Sequence, residues 1–189
     1  GGSSNCRQSH RKSNIKQALF YYTGHGALEA EEFQYILSDY EQKAKKQTTL
    51  ENTELDNWLR MIKPALTVKI VDACHAGVQY VKDSAGPKQY MEKTASTFED
   101  CYFLFSSRSS QSSMLSQDFS EFTRSFVKSV VAFKGTEIRF KDIIDAIVDD
   151  FHGNTDQTPF FVSQGTFTEA FSKLTDSLKN QVSNLLNKS

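Results

Sequence analysis

The chain has 189 residues, enough for one domain with a substantial core. Hydrophobic residues make up 38% of it and charged residues 24%, and its 22 basic and 23 acidic residues leave a net charge of −1. This balance provides no bulk field to attract nucleic acid or an anionic membrane, so we expect neither as a partner. No apolar run approaches the roughly 20 residues that span a bilayer.

The three cysteines, Cys6, Cys74 and Cys101, are irregularly spaced and odd in number. This pattern argues against a disulfide framework and against a zinc site, and it suits a reducing cytoplasm. The first residues also lack the apolar segment of a signal peptide. We therefore expect a cytoplasmic protein that needs no metal and no cofactor.

The apolar pattern predicts strands alternating with helices. Residues 1–17 are expected to be a linker and a short helix. Short apolar runs bounded by turn residues predict strands at 18–22, 33–37, 66–71, 101–105 and within 158–163. Helical spacing predicts helices within 51–62, 120–133 and 139–151, and a last helix in 168–189 leading toward a tail or partner. In the first of these helices the predicted inward residues are Leu55, Trp58, Leu59 and Ile62.

This alternation indicates an α/β sandwich with a mostly parallel central sheet flanked by helices, formed by residues 18–167. In such sheets functional groups lie just beyond the carboxyl ends of the strands. His25 and Cys74 each follow a predicted strand, within "LFYYTGHGAL" and "VKIVDACHAG". Two neighbouring parallel strands would therefore bring the two side chains together.

A cysteine attacks as its thiolate, so it needs a base beside it or a lowered pKa. Glycines on both sides of His25 allow close approach of the backbone to a substrate. The N–H groups of Gly26 and Cys74 are then candidates for holding a developing oxyanion. Taken singly, such a cysteine is more often a small buried side chain, and such a histidine is more often a turn residue than a base.

The segments "FYYTGHG" and "VDACHAG", with 49 positions from the histidine to the cysteine, resemble those of caspase-like cysteine peptidases. The resemblance is closer to bacterial caspase-domain or CHAT-domain proteins and metacaspases, since animal caspases carry Gln-Ala-Cys where this chain has Asp72-Ala73-Cys74. Three further segments fit the family in order: "CYFLFSS", "EFTRSFVKSV" and "QTPFF". The resemblance covers about residues 18–167.

The resemblance implies that Cys74 is the nucleophile and His25 the general acid and base of an endopeptidase acting on proteins or peptides. An acid at the place of Asp72 lines the primary pocket in metacaspase-like members and pairs with Arg or Lys before the scissile bond. The other interpretation is that Asp72 caps a neighbouring turn or helix. Ser106 and Ser107 are expected near the substrate.

Family members also carry a strand–helix–strand segment before the histidine strand, and we interpret these N-terminal strands as absent from this chain. A regulatory chain, another domain or further residues would then complete the sheet beside strand 18–22. Residues 78–98 are the expected place for gating or self-cleavage. Bacterial relatives often act in defence or cell death, which suggests control by a partner or sensor domain.

Two competing hypotheses stay open. One is a non-catalytic caspase-like interaction module that keeps the histidine and the cysteine without assembling them. The other is a flavodoxin-like binding domain, which needs a phosphate-binding loop after its first strand. The sequence "TGHGALEAEE" is a poor loop of that kind, because its acidic residues would repel phosphate.

Overall fold

The computed structural model describes residues 15–29, 32–73, 97–107, 115–116 and 119–187, with backbone only at 115–116. The strands are β1 (Gln17–Thr23), β2 (Gly26–Glu29), β3 (Glu32–Ile36), β4 (Thr49–Glu51), β5 (Leu66–Asp72), β6 (Asp100–Phe105), β7 (Leu115–Ser116), β8 (Phe119–Ser120), β9 (Glu137–Arg139), β10 (Phe160–Gln164) and β11 (Ala170–Lys173). The helices of the described residues are α1 (Lys45–Thr48), α2 (Asn52–Ile62), α3 (Glu121–Ala132), α4 (Phe140–Asp150) and α5 (Asp176–Leu186). The predicted linker up to residue 14 and most of the predicted gating segment lie outside the described residues.

The central sheet has four described strands in the order β1-β5-β6-β10. β1, β5 and β6 are parallel, and β10 runs antiparallel beside β6. All seven residues of β5 are buried, since elements cover both faces of the sheet at this strand. The predicted α/β fold with a mostly parallel central sheet is confirmed.

Each face of the sheet has its own hydrophobic core. On one face, α2 and β3 contribute Leu55, Leu59, Phe33 and Tyr35 to a core shared with β5 and β6. On the other face, the core side chains come from α3, α4 and the segment before α5: Phe122, Val130, Ile143, Ile147 and Leu174. Among the helices described here, none combines the length and the apolar character needed to span a membrane.

The inward face of α2 differs from its prediction. Trp58 and Ile62 are 51% and 43% exposed, and the buried stripe consists of Asn52, Leu55, Asp56 and Leu59. Lys69 of β5 explains this rotation of the helix. Its ammonium is fully buried and donates to Asn52 Oδ1 at 2.5 Å and to Asp56 Oδ1 at 2.7 Å. The two polar residues face the sheet because they pair with this charge.

Two small sheets were not predicted from the apolar pattern. β2, β3 and β4 form an antiparallel sheet, and β9 pairs with β11. The second pairing places residues of the predicted 168–189 segment in the same packed body, where Leu174 is 6% exposed. Short runs such as β11 satisfy strand and helix spacing equally well, so pairing decides between them.

β1 lies at one edge of the described sheet. Its pairing among the described strands is with β5, and Leu19 and Tyr21 are 48% and 49% exposed. Exposed apolar residues on an edge strand are typical of a surface that another element covers. Completion of the sheet by another segment or chain stays a prediction.

Glu169, which precedes β11, connects this part of the chain to the central sheet. The Tyr102 phenol donates to Glu169 Oε2 at 2.5 Å, and the Thr166 hydroxyl donates to Oε1 at 2.6 Å. Burial alone would raise the pKa of the Glu169 carboxyl, but these hydrogen bonds outweigh it and lower the pKa to about 2. The carboxylate is therefore stabilised in its charged form by the fold.

Candidate active site

The carboxyl ends of β1 and β5 form the edge where the candidate residues meet. In the parallel register Thr23 lies opposite Asp72, and the Gly24 N–H donates to the Asp72 carbonyl at 3.1 Å. His25 thus lies at the same edge of the sheet as Ala73, the residue that follows β5. Cys74, the next residue in the chain, lies outside the described residues.

The backbone of the histidine loop (residues 24–26) is held in place, while the His25 residue is exposed. The His25 carbonyl accepts from the Ile36 N–H at 3.1 Å and lies 2.6 Å from Tyr22 Oη. Burial raises the pKa of the Tyr22 phenol, which keeps it a donor. A Cβ at position 24 would lie 2.9 Å from the same phenol oxygen, so the close approach requires glycine. Gly26 opens β2 opposite Tyr35.

Ser106 and Ser107 are completely buried and hold the backbone of Ala73. Ser106 Oγ accepts from the Ala73 N–H at 3.1 Å, and both serine hydroxyls lie 3.2 Å from the Ala73 carbonyl. Gln157, also fully buried, donates to the Ser106 carbonyl at 2.8 Å. The described contacts of the two serine hydroxyls are with Ala73, in the chain that leads to Cys74. A direct contact with substrate stays a prediction.

Asp72 is 3% exposed, and its carboxylate faces the start of α3. Thr123 Oγ1 donates to Asp72 Oδ2 at 2.6 Å, and the Ser120 hydroxyl donates to the same oxygen. Ser120 is the N-cap residue of α3. The contact with a helix N-terminus is the one expected from the capping interpretation of Asp72, and its role in a substrate pocket stays a prediction.

Among the described residues the one cysteine is Cys101, in the middle of the sheet. It is completely buried, and loss of solvation raises its pKa to about 12. A thiol in this state is protonated and unreactive at neutral pH. Within the described ranges no three His, Cys, Asp or Glu side chains form a group that could hold a metal ion.

Four residues near this edge were not predicted as site residues: Tyr22, Ser120, Thr123 and Gln157. Two signals were present in the sequence. Thr123 and Gln157 belong to the segments "EFTRSFVKSV" and "QTPFF", and Ser120 directly precedes an amphipathic helix, as an N-cap residue does. The cited partners of Ser120, Thr123 and Gln157 lie 48 to 51 positions away in the chain, and no local pattern identifies such pairs.

Comparisons with known proteins agree with this fold. A family model of the caspase domain matches residues 5–172, which is most of the chain. The structure is similar to the crystal structure of protein GSU0716 from Geobacter sulfurreducens, with a TM-score of 0.53 and 18% sequence identity over 82% of this chain and 72% of that chain. At that identity the similarity concerns the fold alone. No curated protein matches the chain significantly in sequence.

Proposed function

The chain belongs to the caspase domain family, and we propose on this basis that it is a cysteine endopeptidase with Cys74 as nucleophile and His25 as general acid and base. The parallel pairing of β1 with β5 carries the proposal. Its register ends with Thr23 beside Asp72, so the histidine loop and the residue before Cys74 share one edge of the sheet. The exposure of His25 supports it, since a catalytic imidazole must reach substrate and exchange protons with solvent.

The proposed reaction is an acyl transfer to sulfur. The His25 imidazole accepts the proton of the Cys74 thiol, and the thiolate attacks the carbonyl carbon of the scissile amide. The N–H groups of Gly26 and Cys74 bind the oxyanion, and the imidazolium then protonates the leaving amine. Water, deprotonated by the same imidazole, hydrolyses the thioester and frees the enzyme.

The backbone contacts of the site support this mechanism. The Ile36 N–H donates to the His25 carbonyl, and the Tyr22 phenol shares its proton between that carbonyl and the Ile36 carbonyl. The buried serines hold both polar backbone groups of Ala73. Catalytic groups must stay within about half an ångström of their working geometry, so such supports are expected around them. We assign Ser106 and Ser107 to positioning the chain before Cys74, and their direct contact with substrate stays a prediction.

We further propose that Asp72 selects Arg or Lys before the scissile bond. Its carboxylate lies on the strand that leads to Cys74, two residues before it, and is shielded from solvent. A cation reaching such a carboxylate pairs with it more strongly than it would in water. Arg is expected to be preferred over Lys, because a planar guanidinium presents its N–H donors to a carboxylate in a fixed geometry, whereas an ammonium binds as a point charge.

Regulation belongs to the same proposal. We assign gating or self-cleavage to residues 78–98, and we assign the exposed edge of β1 to a regulatory segment or chain that completes the sheet. The exposure of Leu19 and Tyr21 supports the second assignment. The proposed role in defence or cell death rests on the resemblance to bacterial relatives, and the proposed cytoplasmic location rests on the cysteine pattern.

A peptidyl acyloxymethyl ketone with an Arg side chain tests whether His25 and Cys74 act together as a catalytic dyad. Such a probe reacts with a thiolate that lies beside a peptide-binding cleft. Mass spectrometry should find the probe on Cys74, and labelling should persist in Cys101→Ala and disappear in Cys74→Ala. His25→Ala should slow it at least tenfold. A small maleimide serves as the accessibility control. If maleimide modifies Cys74 while the peptidyl probe does not, the dyad is not assembled and the interaction-module hypothesis is favoured.

A further inference from the structure

The first turn of α3 contacts Asp72 through two hydroxyl groups. Thr123 Oγ1 donates to Asp72 Oδ2 at 2.6 Å, and the Ser120 hydroxyl donates to the same oxygen. Ser120 is 6% exposed and Asp72 is 3% exposed, so the hydrogen bonds form away from bulk water. They join the end of β5 to a helix 48 residues further along the chain.

The helix end is itself a rigid support. Ser120 Oγ accepts from the Thr123 N–H at 3.0 Å, which caps α3 in the usual way. A hydroxyl accepts and donates at once, so the same side chain caps the helix and binds the carboxylate. Phe122, between the two hydroxyl residues, is completely buried in the core below. The helix N-terminus also favours an anion through its dipole.

We propose that Ser120 and Thr123 are positioning residues that orient the Asp72 carboxylate for a basic substrate side chain. This inference rests on the proposed function, in which Asp72 selects Arg or Lys. Both hydroxyls donate to Oδ2, so they hold the carboxylate in one plane and occupy the two lone pairs of that oxygen. Recognition of a guanidinium depends on that plane, whereas an ammonium binds as a point charge. The hydroxyl pair therefore sets the preference for Arg over Lys.

A role in capping alone makes a different prediction. If Asp72 and the two hydroxyls only stabilise α3, removing a hydroxyl lowers stability and affects all substrates equally. If they orient the Asp72 carboxylate, removing a hydroxyl slows the reaction with an Arg substrate most and with a Lys substrate less. The reaction with a neutral side chain is then unchanged. The ratio of rates among these three substrates separates the two roles, because a general loss of folded protein leaves the ratio unchanged.

Thr123 offers the cleaner test, since Ser120 also caps the helix. Thr123→Val keeps the shape and the backbone N–H but removes the hydroxyl, and Thr123→Ser restores the hydroxyl. Ser129→Ala is the matched control, because the Ser129 hydroxyl donates to Phe126 within the same helix at 2.7 Å. The rates of Cys74 labelling are measured with three peptidyl acyloxymethyl ketones that carry Arg, Lys or citrulline, the neutral analogue of Arg.

We expect Thr123→Val to slow labelling by the Arg probe about tenfold, the size of effect of losing one hydrogen bond to a charged group. The Lys probe should lose less, and the citrulline probe should be unchanged. Thr123→Ser should restore the Arg rate to within about threefold, and Ser129→Ala should match the wild type. Thermal unfolding of each variant shows that it is folded.

Two results would overturn the inference. Equal slowing of all three probes by Thr123→Val would mean a structural role, and faster labelling by the Arg probe would mean that the hydroxyl competes with substrate. Two other results would contradict the proposed function itself, in which Asp72 selects a basic side chain. A wild type that labels Cys74 with Arg and citrulline equally, or an Asp72→Asn variant that keeps the Arg preference, removes Asp72 from the pocket and the positioning role with it.

Discussion

Replacement of Asp56 by alanine should destabilise the protein far more than replacement of an exposed aspartate in a comparable helix. Asp56 of α2 accepts from the Lys69 ammonium at 2.7 Å, and both side chains are buried, at 5% and 0% exposure. The ammonium also lies 5.0 Å from the centre of the Phe103 ring. Asp56→Ala removes the carboxylate and leaves a buried positive charge under the sheet.

Loss of one partner of a buried ion pair costs about 3–5 kcal/mol. The control is Asp145→Ala in α4, where Asp145 pairs with Lys141 at 2.5 Å but the side chains are 59% and 46% exposed. Such a pair contributes about 0.3–0.5 kcal/mol. Both changes replace a helical aspartate by alanine, so the gain in helix propensity cancels in the comparison.

Urea unfolding followed by circular dichroism measures the difference in unfolding free energy between the Asp56→Ala and Asp145→Ala variants. Their melting temperatures should differ by roughly 10 °C for a domain of this size. Lys69→Met should cost less than Asp56→Ala. The methionine side chain is apolar and suits the buried site. Without Lys69, Asp56 still has Arg60 at 4.0 Å and Asn52 at 3.3 Å as partners. If Asp56→Ala and Asp145→Ala differ by less than 1 kcal/mol, the buried ammonium does not depend on this carboxylate and the reasoning is refuted.

Three further predictions concern the contacts around the candidate site and the carboxylate of Glu169, which precedes β11. Ser106→Ala should destabilise by about 2 kcal/mol, because it leaves the buried Ala73 N–H unbonded, whereas Ser107→Ala should cost about 1 kcal/mol; equal costs in urea unfolding would contradict this. Tyr22→Phe should slow labelling of the nucleophile about tenfold with little change in melting temperature, as the histidine loop loses a hydrogen bond, and an unchanged rate would count against that role. Glu169 has a pKa of about 2 in the folded protein against 4.5 ordinarily, so its contribution to stability is present above pH 4.5 and is lost as the pH falls toward 2. The difference in melting temperature between wild type and Glu169→Gln should therefore shrink between pH 6 and pH 3, and a constant difference would argue against it.

Local patterns were sufficient for the strands and helices that build the two cores. The runs that became β1, β5 and β6 are short, apolar and bounded by small or polar residues, and the structure confirms them as neighbouring parallel strands. The motifs around His25 and Cys74 resembled those of the caspase family, and the caspase-domain match over residues 5–172 confirms that family. These inferences need only residues close together in the chain.

The contacts that depend on distant residues were beyond such patterns. The sequence alone showed Lys69 as a charge in an apolar run, and only packing against α2 reveals that Asn52 and Asp56 bury it and turn the helix. Ser106 likewise stood in a polar, serine-rich stretch expected to border the substrate. Its hydroxyl is buried against Ala73, a residue 33 positions earlier, because the parallel register of β5 and β6 brings them together.

Periodicity records which side of an element is apolar, and so it predicts strands and helices, although for α2 it did not predict the buried face. Register, helix rotation and the partners of buried polar groups follow from pairing between elements that lie far apart in the chain. A buried hydrogen bond or ion pair offsets the cost of desolvation only where both partners are buried together. That condition is met in the folded chain and has no counterpart in any short stretch of its sequence.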